Sequence, residues 1–264
     1  MKKYYLIILA FNLIIGCKNN YNYKRNLDNS IKDSINSSSK STYLVSQIVT
    51  ITKKGNEDTM KFNYDSLNRK IEVLQKRENI YFSYDQYNNL ARIKTVNKYR
   101  ISSDLDDTII YSKKNIDMIS KNFNLINRLK LNSKGLVEEM KIEKIGKEEE
   151  LKIDKSEFYT YQYDDSDNLI TMTRYNKNLC TKTKFEYDNK HYPFICMGGN
   201  NKVTVFQKNN ILKKIIYDCK TDSIIDTILY DYEYNENGYP TIQKIKNQNE
   251  NIIMKYQYIT IPKK

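Results

Sequence analysis

Tryptophan is absent, histidine occurs once, proline three times and glycine seven times in 264 residues. The lone histidine, His191, and cysteines at 17, 180, 196 and 219 match no zinc-ligand spacing, so no metal centre is expected. There is no glycine-rich phosphate loop and no Gly-x-Ser-x-Gly elbow, which leaves phosphoryl-transfer and serine-hydrolase chemistry without their usual frames. Hydrophobic residues make up only 39% of the chain, enough for a thin sheet-based core but not a thick globule. The net charge of +12 is spread along the chain and interleaved with glutamate, as in IEKIGKEEELKIDK. A nucleic-acid footprint would be clustered, so no nucleic-acid partner is expected.

The one strongly apolar run lies at the start. Lys2 and Lys3 precede Tyr4 to Ile15, which is apolar apart from Asn12. That length suits the central region of a signal peptide and is too short to span a bilayer as a helix. It ends Ile14-Ile15-Gly16-Cys17, which resembles a lipobox: aliphatic residues, a small residue before the cut, then the thiol that receives diacylglycerol. The resemblance implies a lipoprotein signal peptide over 1–16 and two or three acyl chains, palmitate among them, on Cys17. Two chains hold a protein on a membrane stably where one does not. Lys18 follows the cysteine, which favours the outer membrane. The stretch KNNYNYKRN is basic rather than acidic, which favours the periplasmic face over the cell surface.

Residues 17–42 are polar and end in a serine-rich stretch, and read as a flexible tether. The folded domain is expected over 43–264. Within it a pattern recurs: FNYDSLN at Phe62, FSYDQYN at Phe82, YQYDDSD at Tyr161, FEYDNKH at Phe185 and YEYNENG at Tyr232, with weaker copies from Tyr111 and Leu131. Alternating aromatics place their rings on one face of a strand. Asp or Asn then opens a turn by accepting backbone N–H groups two residues on. Four positions after Tyr64, Tyr84, Tyr111, Leu131, Tyr163 and Tyr234 stand Asn68, Asn88, Asn115, Gly135, Asp167 and Gly238, with His191 departing after Tyr187; Asn and Gly there take positive φ at low cost. The unit is a β-hairpin. Gly146-Lys147 reads as a further hairpin turn, joining Met140/Ile142 to Leu151/Ile153. The fold class is all-β: an antiparallel meander forming a curled sheet or open barrel. These cassettes resemble YD (RHS-type) repeats of Bacteroidetes lipoproteins, over roughly 62–258. That resemblance implies a repeat-built β-shell, here too short to close and without a toxin domain.

Tyr159/161/163, Tyr230/232/234 and Tyr256/258 each share a strand face, as either a ligand platform or a structural ladder; recurrence in every unit favours the ladder. Asp164 to Asp167 imitates part of a calcium loop but has Leu169 where a ligand belongs. Asp104, Asp106 and Asp107 could pair as general acid and base. His191 reads as a turn residue. Of Cys180, Cys196 and Cys219, two can form a disulfide outside the cytoplasm and one is left over. Asp-Ser/Thr-aliphatic triplets at Ser34, Thr59, Ser66, Thr108, Ser223 and Thr227 resemble the O-glycosylation acceptor of Bacteroidetes envelope proteins, which implies candidate sites there; a turn followed by a strand gives the same triplets. No cofactor and no catalytic residue is singled out. The expected function is a non-catalytic, lipid-anchored envelope protein with a scaffold or binding role toward a protein or glycan. The alternatives are an envelope hydrolase using the Asp-rich loops and a surface adhesin or toxin-related module.

Overall fold

A computed structural model describes residues 41–99, 104–144, 157–176, 179–194, 207–247 and 250–262. Cys17, Ser34, Cys196 and the Gly146-Lys147 turn lie outside these. The first strands are β1 (Ser41–Thr52), β2 (Glu57–Tyr64), β3 (Lys70–Leu74), β4 (Glu78–Tyr84) and β5 (Leu90–Asn97). Next come β6 (Leu105–Tyr111), β7 (Asn115–Ser120), β8 (Leu125–Leu131), β9 (Val137–Lys144), β10 (Glu157–Tyr163) and β11 (Leu169–Asn176). The last are β12 (Leu179–Tyr187), β13 (Ile211–Asp218), β14 (Ile224–Tyr234), β15 (Pro240–Lys246) and β16 (Asn251–Pro262).

Each strand pairs antiparallel with the next, and β1 pairs with β16, so the meander closes into a barrel. The expectation of an open sheet is corrected by that seam, where eleven Cα pairs run from Ser41 and Pro262 to Thr52 and Ile252. Closure also overturns the YD-repeat resemblance, since a sixteen-strand up-and-down barrel is not a wound repeat shell. What recurs is turn chemistry. Asp65 Oδ1 accepts the N–H groups of Leu67 and Arg69, both at 2.9 Å, and Asp85 and Asn235 do the same in their turns. Asn68, Asn88, Gly135, Asp167 and Gly238 have positive φ. Asn115 does not; it begins β7, because Ser112 makes a tighter turn in which Tyr111 pairs with Ile116. Met140 and Ile142 on β9 pair with Tyr159 and Glu157 on β10.

The longer turns add one residue, and it appears as a β-bulge just inside the strand. Register shifts follow the turns at Tyr64, Tyr84, Leu131, Tyr163, Tyr187 and Tyr234, another sits at Ser46 in the seam, and one more, at Ile225 on β14, lies at the opposite end. Bulges bend a strand and increase its twist. Seven at one end of one sheet curl it toward closure.

Candidate functional site

At the bulged end, hydroxyls from inward tyrosines reach carbonyls at the bulges on the preceding inner wall. Tyr64 donates to the carbonyl of Val45, Tyr84 to Lys70, Tyr111 to Leu90, Tyr163 to Val137, Tyr187 to Leu169, Tyr232 to Ile211 and Tyr258 to Pro240, at 2.6–3.0 Å. Each acceptor is the last residue before a bulge. The break in the ring is informative: β7 has no bulge at Ile116, and the residue that would reach it, on β8, is Leu131. The tyrosine rows are therefore a structural ladder with a second duty at the rim. Burial raises the pKa of Tyr187, Tyr232 and Tyr258, which keeps these donors protonated.

Sixteen strands enclose more space than wall side chains alone can fill. At this end the chain itself fills it. Asp188 anchors the turn after β12 as Asp65 does after β2, but the residue completing the anchor is Asn210, whose N–H binds Asp188 Oδ1 at 2.9 Å. Between them the chain makes an excursion that begins as a strap. Phe194 is 2% exposed and lies 5.7 Å from the ring of Phe62 on β2, most of the way across the barrel from β12. Tyr192 packs against Phe194 at 5.6 Å. His191 stacks on Tyr239 at 5.0 Å, and Tyr239 packs on Tyr43 and Tyr258 over the seam. The histidine is thus part of the strap rather than a turn residue. Burial and then neighbouring Lys190 lower its pKa.

The opposite end differs. Inward residues follow from the pleat, by alternation from the buried core positions. Near the bulged end they are Val45, Leu90, Ile116 and Val137, all at 1% exposure or less. Toward the other end they become Asn127, Ile142, Glu157, Arg174, Thr181 and Ile216, all half-buried. Arg174 pairs with Glu157, which also accepts from the hydroxyl of Tyr159 at 2.9 Å and from Asn176 at 3.2 Å. Burial alone would raise the Glu157 carboxyl, but these hydrogen bonds, Arg174 foremost, bring it below its usual value. Lys214 sits over the rings of Phe185 at 5.7 Å and Tyr230 at 5.4 Å. This wall combines aromatic faces with a fixed guanidinium and carboxylate, a surface that suits holding a polar ring-bearing molecule. Sequence reasoning missed Glu157 and Arg174, since neither belongs to a motif; only their cross-strand register joins them.

The other singled-out residues separate. Asp106 faces outward to Arg92, whereas Asp107 faces inward, where burial raises its carboxyl; Asp104 accepts the N–H of Asn97. The three are not a catalytic pair. Asp107 on β6 and Glu157 on β10 are four strands apart, about 19 Å around the wall. Asp164 binds the N–H of Asn168, and Asp167 pairs with Lys134 and Lys208, so the calcium-like stretch spends its carboxylates on the turn and on lysines. Ser66 and Ser223 are exposed in turns, and Thr59, Thr108 and Thr227 lie on strands β2, β6 and β14, half-buried. Cys180 and Cys219 form a disulfide at the end opposite the strap.

The outer face is polar. Arg92 binds Asp106, Arg128 binds Asp117 and Glu143, both at 3.1 Å, Lys130 binds Glu138 at 2.8 Å and Lys244 binds Glu233 at 2.7 Å.

No family model matches the chain, and no curated protein matches it in sequence. Solved structures similar to it include two porin-like proteins. One is a porin-like protein from Bacteroides vulgatus ATCC 8482, with 10% identity over 83% of this chain and 99% of that one, at a TM-score of 0.46. The other is a porin-like protein from Bacteroides uniformis ATCC 8492, with 11% identity over 81% of this chain and 96% of that one, at a TM-score of 0.39.

Proposed function

We propose that the chain is an exported, lipid-anchored binding protein of the cell envelope whose barrel stands in water, sealed at one mouth by its strap and receiving a ligand at the other. The observation that carries this is the polarity of the wall. A barrel that spans a bilayer presents an apolar band outward and a polar interior. Here Phe62, Phe82, Leu90, Ile116 and Tyr161 face in, while Arg92, Arg128, Lys141, Lys184, Lys244 and Lys255 face out from mid-strand. Each such lysine or arginine at a bilayer midplane costs about 2–4 kcal/mol. The Cys180–Cys219 disulfide supports an oxidising compartment, in keeping with the N-terminal export signal. The half-buried inner wall around Arg174 and Glu157 supports binding over catalysis, because among the described residues it brings together no nucleophile–base pair.

The test uses the chain without residues 1–16 and with Cys17→Ala. It should purify as a single species in detergent-free buffer and partition to the aqueous phase of a detergent cloud-point separation. Recovery only in detergent would overturn the reading. Wild type in its host should carry acyl groups on Cys17 by mass spectrometry, and Cys17→Ala should leave the membrane fraction.

A further inference from the structure

The outer wall is not uniform. Outward positions on β5–β9 hold five basic residues (Arg92, Lys94, Arg128, Lys130, Lys141) and five acids (Asp106, Asp117, Glu138, Glu139, Glu143), most of them paired. On β12–β16 the outward positions hold six lysines (182, 184, 213, 244, 246, 255) against three acids (Glu186, Asp231, Glu233). Lys213 and Lys244 take Glu186 and Glu233, while Lys182, Lys184, Lys246 and Lys255 have no carboxylate partner among the described residues. The apolar contrast runs the same way. On β5–β9 the one large hydrophobic residue strongly exposed is Ile110, at 52%. On β12–β16 Leu229 is 49% exposed, Ile224 61%, Ile225 48%, Ile253 37% and Ile259 43%. Register joins the two properties: Lys213, Leu229 and Lys246 form one cross-strand row, and Lys244 lies opposite Ile253 in the next.

We infer that the outer wall of β12–β16 is a docking face for an anionic lipid surface. Its unpaired lysines meet headgroup phosphates, and Leu229 with Ile224 and Ile225 at the β13–β14 end enters the interface. The excess of positive charge selects an anionic partner, and exposed aliphatics set among lysines suit a headgroup layer, which offers apolar depth beneath its charge. A free polyanion offers charge alone. The inference rests on the reading that this barrel stands in water, since a wall inside a bilayer has no headgroups to meet.

The test measures sedimentation of the unacylated chain (1–16 removed, Cys17→Ala) with vesicles of phosphatidylcholine containing 30% phosphatidylglycerol, and with phosphatidylcholine alone. Binding is expected to the anionic vesicles only. Each lysine near such a surface is worth about fivefold in partitioning. Combined Lys182→Glu, Lys246→Glu and Lys255→Glu should therefore lower it by a hundredfold or more, and the same three to Gln by less. Leu229→Ser with Ile224→Ser should weaken it at unchanged charge. The control Lys94→Glu, Lys130→Glu and Lys141→Glu on the balanced wall should change it less than threefold. Equal losses from both triple reversals, no binding to anionic vesicles by the soluble chain, or binding to heparin with none to vesicles would each overturn the inference. An insoluble unacylated chain would instead overturn the water-standing barrel, so the two failures are distinct. Near-UV circular dichroism confirms that the variants remain folded.

Discussion

The two mouths of this barrel are made from the same strands and do opposite things. At the bulged end, Asx turns, bulges and tyrosine hydroxyls interlock in sequence around the rim, and the strap carries Phe194 across it. At the other end the inner wall is half-buried and its charges are held by one another, with Glu157 and Arg174 as the fixed point. Buried contacts concentrate where the bulges cluster, and the other mouth, with the single bulge at Ile225, keeps its inner wall half-buried. The difference arises from one extra residue per turn, which bends the strands and creates the carbonyls that the tyrosines satisfy.

The largest test of this comparison is alkaline pH. Burial raises the pKa of Tyr187, Tyr232, Tyr256 and Tyr258, so the unfolded chain loses its tyrosine protons near pH 10 while the folded chain retains them. Stability from these groups is whole below about pH 10 and falls as pH rises past it. Thermal melts should collapse there, with the tyrosinate absorbance of these buried rings appearing together with unfolding rather than before it. Lys70 works in the opposite sense. Burial lowers its pKa to about 7, so the unfolded chain binds a proton that the folded chain releases, and stability rises from about pH 7 toward 10. Lys70→Met should flatten that rise.

Phe194→Ala should cost about 3–5 kcal/mol in denaturant unfolding, because it removes a buried ring packed on Phe62 and Tyr192. A loss under 1 kcal/mol would mean the strap merely rests on the barrel. Cys180→Ser with Cys219→Ser closes no 39-residue loop in the unfolded chain and should cost about 2–4 kcal/mol, although the bond sits at the looser end. The finest test applies one change at both ends. Tyr187→Phe strands a carbonyl at a buried bulge and should cost about 1–3 kcal/mol, whereas Tyr159→Phe, beside a half-buried carboxylate that water reaches, should cost under about 1 kcal/mol. Equal costs would erase the distinction between the mouths.

The turns were legible because their chemistry is local: Asp65 and Asn68, three residues apart, contain the whole instruction for one hairpin. Asn115 misled because Ser112 replaced the acidic turn-opener and shortened the connection by one residue. The family likeness rested on these same local units and could not report how many strands they would join. Closure depends on β1 meeting β16, a pairing without a connecting turn and so without a sequence mark. The strap was hidden for a related reason. FEYDNKHYPF reads as a worn copy of the hairpin, and only its return at Asn210 reveals that an excursion has been inserted into an intact turn. Glu157 and Arg174 become neighbours only once the register of β10 and β11 is known.

The seam also sets an order of assembly. Residues 41–52 emerge early from a chain made or exported N-terminus first, yet one edge of β1 gains its partner only when 251–262 arrive. Until then that edge offers unpaired amides and carbonyls to any neighbouring strand. Synthesis at high density should therefore trap intertwined dimers that exchange β16, and a chaperone that covers a single exposed β-edge would be worth most to this protein in the interval before β16 is released.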